Sequence, residues 1–353
     1  RRNYLEDFHS DKERVEFLEY YSTGHYAQKE VELIINGDYL DFLAVPFVNY
    51  FDDEYWSEKA AVEKLKIIMQ AHFEVIHAMK AFLEKKNKKI LYIIGNHDAE
   101  LILPKVREAF LSYFDENHHI KVLSSDQEYS PVEGVMLLHG HQYEAAHDFH
   151  LEDNIIRSKD NELYFNPPWG SYYVVRVINK FKEERSYINS VRPIKNFLIH
   201  GLLFDTLFTL RFMFTNFYYF VMVRILDYIR NQGKVELRRI WQDIQNELEL
   251  FGDYETLTRK YFEKRPDIKV LIVGHTHEPS MRNFGDGTFF INTGTWTKMI
   301  NLDFRRQVQG FQLTYAKIER KKNHAVDLDG LTHINFDLNI WEGRNDLPFK
   351  EFH

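Results

Sequence analysis

Apolar residues in this chain gather in short, nearly unbroken runs separated by helical or polar stretches. Val31-Glu32-Leu33-Ile34-Ile35, Ile90-Leu91-Tyr92-Ile93-Ile94, Val135-Met136-Leu137-Leu138 and Lys269-Val270-Leu271-Ile272-Val273 are the clearest. Runs of that length read as strands buried on both faces, which predicts a sheet covered by helices. Ser10-Asp11-Lys12-Glu13 has the form of a capping box, with Val15, Phe17, Leu18, Tyr20 and Tyr21 following at helical spacing. Residues 58–86 read as a long helical stretch closed by lysines. Thr288 to Asn292 and Phe311 to Glu319 alternate with period two, as half-buried strands do, and predict a second sheet packed on the first.

The residues that end each run change the picture. The four close in Gly37-Asp38, Gly95-Asn96-His97-Asp98, His139-Gly140-His141 and Gly274-His275-Thr276-His277. Any one alone reads as an ordinary turn. Four strand ends with the same chemistry point to one site, because ligands in α/β sheets collect where strand-end loops converge.

Between residues 151 and 264 the pattern is different. Asn196 to Arg230 is dense in Phe, Leu, Tyr and Met. Its longest charge-free piece, Phe212 to Val223, has 12 residues, short of the roughly 18 to 20 that a spanning helix needs. The segment reads as helices of an inserted cap, which either forms a second core or offers a surface to lipid chains or a membrane face. The expected organisation is a core in two parts, 1–150 and 265–353, with a helical cap insertion over 151–264.

Composition narrows the chemistry. Lys and Arg number 45 against 53 Asp and Glu, a formal net charge of -8, so nucleic acid is not expected as a partner. With no cysteine, any metal must be held by nitrogen and oxygen, and there are 17 histidines to help. Mn²⁺, Fe²⁺ and Zn²⁺ all accept that mixture. A carboxylate is the natural bridge between two such ions, and Asp38 is placed for it. Asn96 offers an amide oxygen; His139, His275 and His277 offer imidazoles; His97 is free to donate a proton or bind phosphate. Arg157, Arg176, Arg185 and Arg192 are candidates for meeting phosphate or anionic lipid, although solvated surface charge is the ordinary role for such residues. Arg1-Arg2-Asn3-Tyr4 resembles neither a signal nor a transit peptide. The composition fits a cytoplasmic enzyme, peripheral on the inner membrane if the cap meets lipid.

In order, Gly37-Asp38-Tyr39-Leu40-Asp41, Gly95-Asn96-His97-Asp98, His139-Gly140-His141 and Gly274-His275-Thr276-His277 resemble the motifs of the calcineurin-like metallophosphoesterases. The resemblance implies a four-layer α/β/β/α sandwich, with two packed mixed sheets flanked by helices. It also implies two divalent ions, Mn²⁺ first among the candidates, bridged by Asp38. One ion takes Asn96, His139 and His275, and the other takes His277. His97 is the acid facing the substrate, Asp98 orients it, and Asp41 caps a turn. His141 competes with His139 for the ligand role. The cap lies outside the resemblance; its placement is similar to that of the helical cap of UDP-2,3-diacylglucosamine hydrolases, which implies a phosphoester or pyrophosphate in a lipid-linked or nucleotide-linked substrate.

The family opens with Asp-x-His, supplying two further ligands. Asp7-Phe8-His9 matches the letters but is preceded by no buried strand and abuts the capping box, so the true motif is expected upstream. Two rival readings stand beside this one. One is a soluble phosphatase or phosphodiesterase for a small substrate; the other is a metal-poor scaffold that binds a partner through its aromatic insertion.

Overall fold

The computed structural model describes residues 5–46, 53–114, 119–123, 128–144, 146–150, 153–192, 194–230, 254–301, 312–320 and 334–343. Three parallel strands, β1 (Val31–Asn36), β2 (Lys88–Ile93) and β3 (Ile120–Leu123), form the first sheet in that order. The second is mixed. Its order is β4 (Val135–Leu137), β8 (Val270–Val273), β10 (Phe289–Asn292) and β9 (Ser280–Asn283), parallel except for the last pair. A long antiparallel pair, β12 (Leu313–Arg320) and β13 (Ile334–Trp341), adds to the same inner layer.

Alternation along the strands explains the layering. Leu91, Ile93, Val135, Leu137, Val270, Ile272 and Ile291 form one cluster between the sheets. The residues between them turn outward. Ile90 and Tyr92 meet helices α1 (Asp11–Ser22), α2 (Glu58–Ala71), α3 (Phe73–Leu83) and α4 (Pro104–Leu111). Met136, Leu271, Val273 and Phe290 meet Phe262 of α9 (Tyr254–Lys264) on the far side. A strand side chain alternates faces at every residue, so a run with no polar position needs cover on both sides. The result is the α/β/β/α sandwich.

Two local expectations change. The stretch 58–86 is two helices, broken at His72, whose backbone leaves the helical region (φ -109°, ψ 32°). The His72 ring is gripped by Glu6 and, at 2.7 Å, by Asp11. Helix α1 forms where expected, but Ser10 makes no side-chain cap; its hydroxyl donates instead to the Trp296 carbonyl at 3.4 Å.

The region after residue 153 opens with a hairpin, β5 (Ile155–Arg157) and β6 (Leu163–Phe165), whose Phe165 joins the main core. Helix α5 (Trp169–Tyr173) runs through a π-turn at Val174–Ile178 into α6 (Asn179–Lys182). The short strand β7 (Val191–Arg192) then leads to α7 (Ile194–Phe204) and α8 (Thr206–Arg230), and β7 pairs with β11 (Ile300–Asn301). These helices have a core of their own, including Val177, Phe181, Phe197, Phe208 and Phe212. Asn179 ties them to the main body by donating to the Leu43 carbonyl at 2.7 Å, as does Lys182 through Leu5 and Asp7. No helix among the described residues is long and apolar enough to cross a membrane.

Candidate metal centre and active site

Strand-end backbone geometry builds the site. Among the described residues four non-glycine residues lie in the left-handed region, and three of them are Asp38 (φ 52°), His275 (φ 64°) and His277 (φ 63°). Such conformations persist only where surrounding contacts hold them, and they gather at functional sites. The two sheets meet here with little room. A Cβ on Gly37 would stand 2.2 Å from His139 Nδ1, so only glycine lets β1 and β4 end side by side.

The last residue of each of two strands ties the loops together. The Asn36 amide donates to the Leu138 carbonyl at 2.9 Å, and the Asn36 carbonyl lies 2.6 Å from His139 Nδ1. The Asn292 amide donates to the Gly274 carbonyl (3.0 Å) and to the Thr276 hydroxyl (2.7 Å). Neither asparagine stands out in the sequence.

These constraints settle which ring nitrogens face inward. A carbonyl oxygen only accepts, so His139 Nδ1 carries the proton and its Nε2 turns a lone pair toward Asp38 Oδ2 at 3.0 Å and Asn96 Oδ1 at 3.2 Å. His275 is arranged likewise. Its Nε2 lies 3.0 Å from the Glu144 carboxylate, leaving Nδ1 2.9 Å from Asn96 Oδ1. Two imidazole lone pairs, an amide oxygen and a carboxylate therefore converge. Asp38 Oδ2 is buried and faces the His139 ring. Asp38, His139 and His275 bring ligand atoms within 4.8 Å of one another. Such a donor set repels itself unless a cation sits among its members, so the residues fit a divalent ion. Without an ion, a proton shared between His139 and Asp38 offsets the carboxylate charge in its place. Burial works to raise the Asp38 carboxyl, yet His139 and His97 hold it well below the usual range. Burial works to lower His139, and Asp38 raises it above its ordinary value.

The other expected residues occupy distinct places. His277 lines the same cavity as this cluster. His141 is fully buried, stacks on Phe149 at 4.8 Å, and neither ring nitrogen has a hydrogen-bond partner among the described residues; His139, not His141, meets Asp38. Asp7 is engaged by Lys182 at 2.8 Å and His9 is exposed, so neither joins the cluster.

The support of His97 differs from expectation. Its Nδ1 lies 2.9 Å from Asp41 Oδ1, and its backbone N–H donates to Asp38 Oδ1 at 2.8 Å. Asp98, expected to orient His97, is buried and accepts from the Tyr92 hydroxyl and from the backbone N–H groups of Tyr39 (3.0 Å) and Gly95. It welds the two loops from beneath, and burial pushes its carboxyl up to about 7. Asp41, expected to cap a turn, makes no side-chain cap. Burial alone would lower His97; Asp41 and Asp38 outweigh it and raise the ring to about 10. His97 is thus held as a proton-bearing group at the edge of the cluster.

Glu144 and His147 carry no signal in the sequence and join the site only in the fold. Glu144 accepts from His147 Nδ1 at 2.9 Å and faces His275, so it orients an inward ring from outside, a common arrangement around metal-binding histidines.

A sequence model of the family described as calcineurin-like phosphoesterase matches residues 7–279. The chain belongs to that family and is a metal-dependent hydrolase of phosphoester bonds. No curated protein matches the sequence closely enough to count as a relative.

Proposed function

We propose that the chain hydrolyses a phosphoester or pyrophosphate bond in a lipid-linked, UDP-diacylglucosamine-like substrate, using two Mn²⁺ ions. The observation that carries this reading is a cavity of about 2300 Å³. Its lining includes Asp38, Asn96, His139, His275 and His277 together with the cap residues Tyr173, Phe197, Phe212, Phe217, Tyr219 and Phe220. A site for a small polar ester alone has no need of such a wall.

In this reading Asp38, Asn96, His139 and His275 would hold one ion, and Asp38 with His277 would hold the other. Bound there, such ions would supply Lewis-acid stabilisation of phosphoryl charge and a lowered pKa for water. The protein's own part is geometric and protonic. His97, with Nδ1 fixed by Asp41, directs its other nitrogen to the leaving-group oxygen and donates the proton that departs with it. Asp98 keeps the loops of Asp38 and His97 in register from below. The apolar wall excludes water from around the scissile bond and takes up the apolar part of the substrate.

The outer face of the cap supports peripheral contact with a membrane surface. Phe204, Leu207 and Phe214 are all largely exposed, and the charged neighbours Asp205 and Arg211 are paired with Arg185 and Glu184. The test is a homologous series of pyrophosphate-linked lipids with lengthening acyl chains. Each added methylene that reaches the cap wall is expected to raise kcat/KM by up to roughly fourfold. Equal turnover across the series would instead favour the soluble phosphatase.

A further inference from the structure

The loop after His139 carries groups that the phosphoesterase reading does not use as ligands. Backbone bonds from His147 N (2.8 Å) and Asp148 N (2.9 Å) to the Glu144 carbonyl curl this loop through one turn. That turn sets the Glu144 carboxylate between two imidazoles, 2.9 Å from His147 Nδ1 and 3.0 Å from His275 Nε2. The three ligand atoms lie within 4.8 Å of one another. In a tetrahedral Zn²⁺ site with bonds of about 2.0–2.1 Å, ligand atoms stand roughly 3.3 Å apart; the two separations from Glu144 are within tenths of an ångström of that, and the two imidazoles, within 4.8 Å, would close to it around an ion. The turn is clamped in place. Gly170 N donates to the Ala146 carbonyl at 2.8 Å, and a Cβ at Gly170 would lie 2.6 Å from His147 Nε2. Glu144 and His147 also line the large cavity, which gives a cation a path to them.

We infer that Glu144, His147 and His275 form an outer cation site that excludes full occupancy of the inner one, because both draw on the single lone pair of His275. The inference rests on the reading that the inner cluster holds the working cation. A neutral imidazole carries one proton and one lone pair. With the proton on Nε2, donated to Glu144, Nδ1 faces inward beside Asn96. A cation taken by Nε2 moves that proton to Nδ1, where it donates to Asn96 Oδ1, and the inner cluster loses one of its imidazoles. His147 likewise passes its proton from Nδ1 to Nε2 so that Nδ1 can ligate, each imidazole stays neutral, and no net proton leaves the site. Zn²⁺, which favours two imidazoles and a carboxylate, then acts as an inhibitor when in excess, and the enzyme reads the metal supply around it.

The test counts Zn²⁺ per full-length chain by calorimetry and elemental analysis in the Asp38→Asn background, where the inner site is crippled. That chain is expected to keep an equivalent of Zn²⁺ that Asp38→Asn/His147→Ala loses, or binds at least about 10-fold more weakly. Asp38→Asn/His147→Gln, of similar size, is expected to do the same, and circular dichroism checks that each variant folds. Zn²⁺ binding unchanged by both second substitutions overturns the inference. A kinetic arm agrees or disagrees independently. Excess Zn²⁺ should depress turnover of the Mn²⁺-loaded parent about 10-fold and that of His147→Ala far less; equal depression counts against the inference. Absence of any phosphoester turnover in the parent would defeat the catalytic reading instead, and the Zn²⁺ count would still decide the outer site.

Discussion

The sandwich and the cap use similar residues to opposite ends. In the sandwich, apolar side chains on both faces of the strands are buried, and the strain sits at the strand ends, where Asp38, His275 and His277 adopt left-handed backbone. In the helices of residues 169–230, the expected cap, α7 and α8 leave part of their apolar surface uncovered. Phe212 of α8 is 8% exposed and packs in the cap core, while Phe214, two residues on, is 70% exposed; Leu207 is 85% exposed. One region turns hydrophobic burial into rigidity that holds polar loops in costly geometry. The other keeps apolar surface available to the cavity and the outside. Density of aromatic residues in a sequence therefore says little about stability until it is known which face is covered.

The largest expected effect lies beneath the site. Lys64 and Glu100 are both fully buried and 2.9 Å apart, joining α2 to the turn just after Asp98. Lys64→Met strands the Glu100 carboxylate and should cost about 3–5 kcal/mol in chemical denaturation, with most of it recovered in Lys64→Met/Glu100→Leu. A cost below about 1 kcal/mol would show that the turn is not held from below. Next, Phe212→Ala should lower stability by about 3 kcal/mol, with cap-localised loss of hydrogen-exchange protection.

A smaller effect is expected at His72, which links α3 to Glu6 and Asp11. Burial works to lower its pKa, but those two carboxylates raise it. A folded-state pKa above the unfolded one means the stabilisation is complete below the unfolded value, about 6.5, and disappears as pH rises through the folded value. The stability gap between the parent and His72→Gln should be about 1–2 kcal/mol at pH 6 and shrink toward alkaline pH. A gap independent of pH would mean that the ring acts by packing alone. Smallest of all, Phe214→Ala should leave stability within about 0.5 kcal/mol. A Phe214 cost matching that of Phe212 would erase the contrast between the two faces of α8.

Much of the fold and the site was legible in the sequence for a definite reason. Asp38, Asn96, His139, His275 and His277 each come after a run that can only be a buried strand, so local pattern and site coincide. The strand β12 showed its alternation, and Ile334, Phe336 and Leu338 carry the same signal for its partner β13. The illegible part depends on contacts between distant residues. The break at His72 needs Glu6 and Asp11. The exchange of roles between Asp41 and Asp98 depends on which way each side chain leaves its turn. Glu144 and His147, three residues apart in a loop with no strand immediately before them, acquire meaning only when His275 arrives from a strand more than a hundred residues later. Ser10 had the letters of a cap and spent its hydroxyl on Trp296.

The central claim is that the converging lone pairs of Asp38, Asn96, His139 and His275 are a cation site on which phosphoester hydrolysis depends. The most direct test measures bound metal and hydrolysis of bis-p-nitrophenyl phosphate on one sample, after chelation and again after Mn²⁺ is restored, in the parent and in Asp38→Asn. The chelated parent should be inert and recover with bound Mn²⁺, while Asp38→Asn should stay roughly 10²–10³-fold slower whatever metal is supplied. Turnover that survives chelation, or an Asp38→Asn variant as active as the parent, would contradict the account.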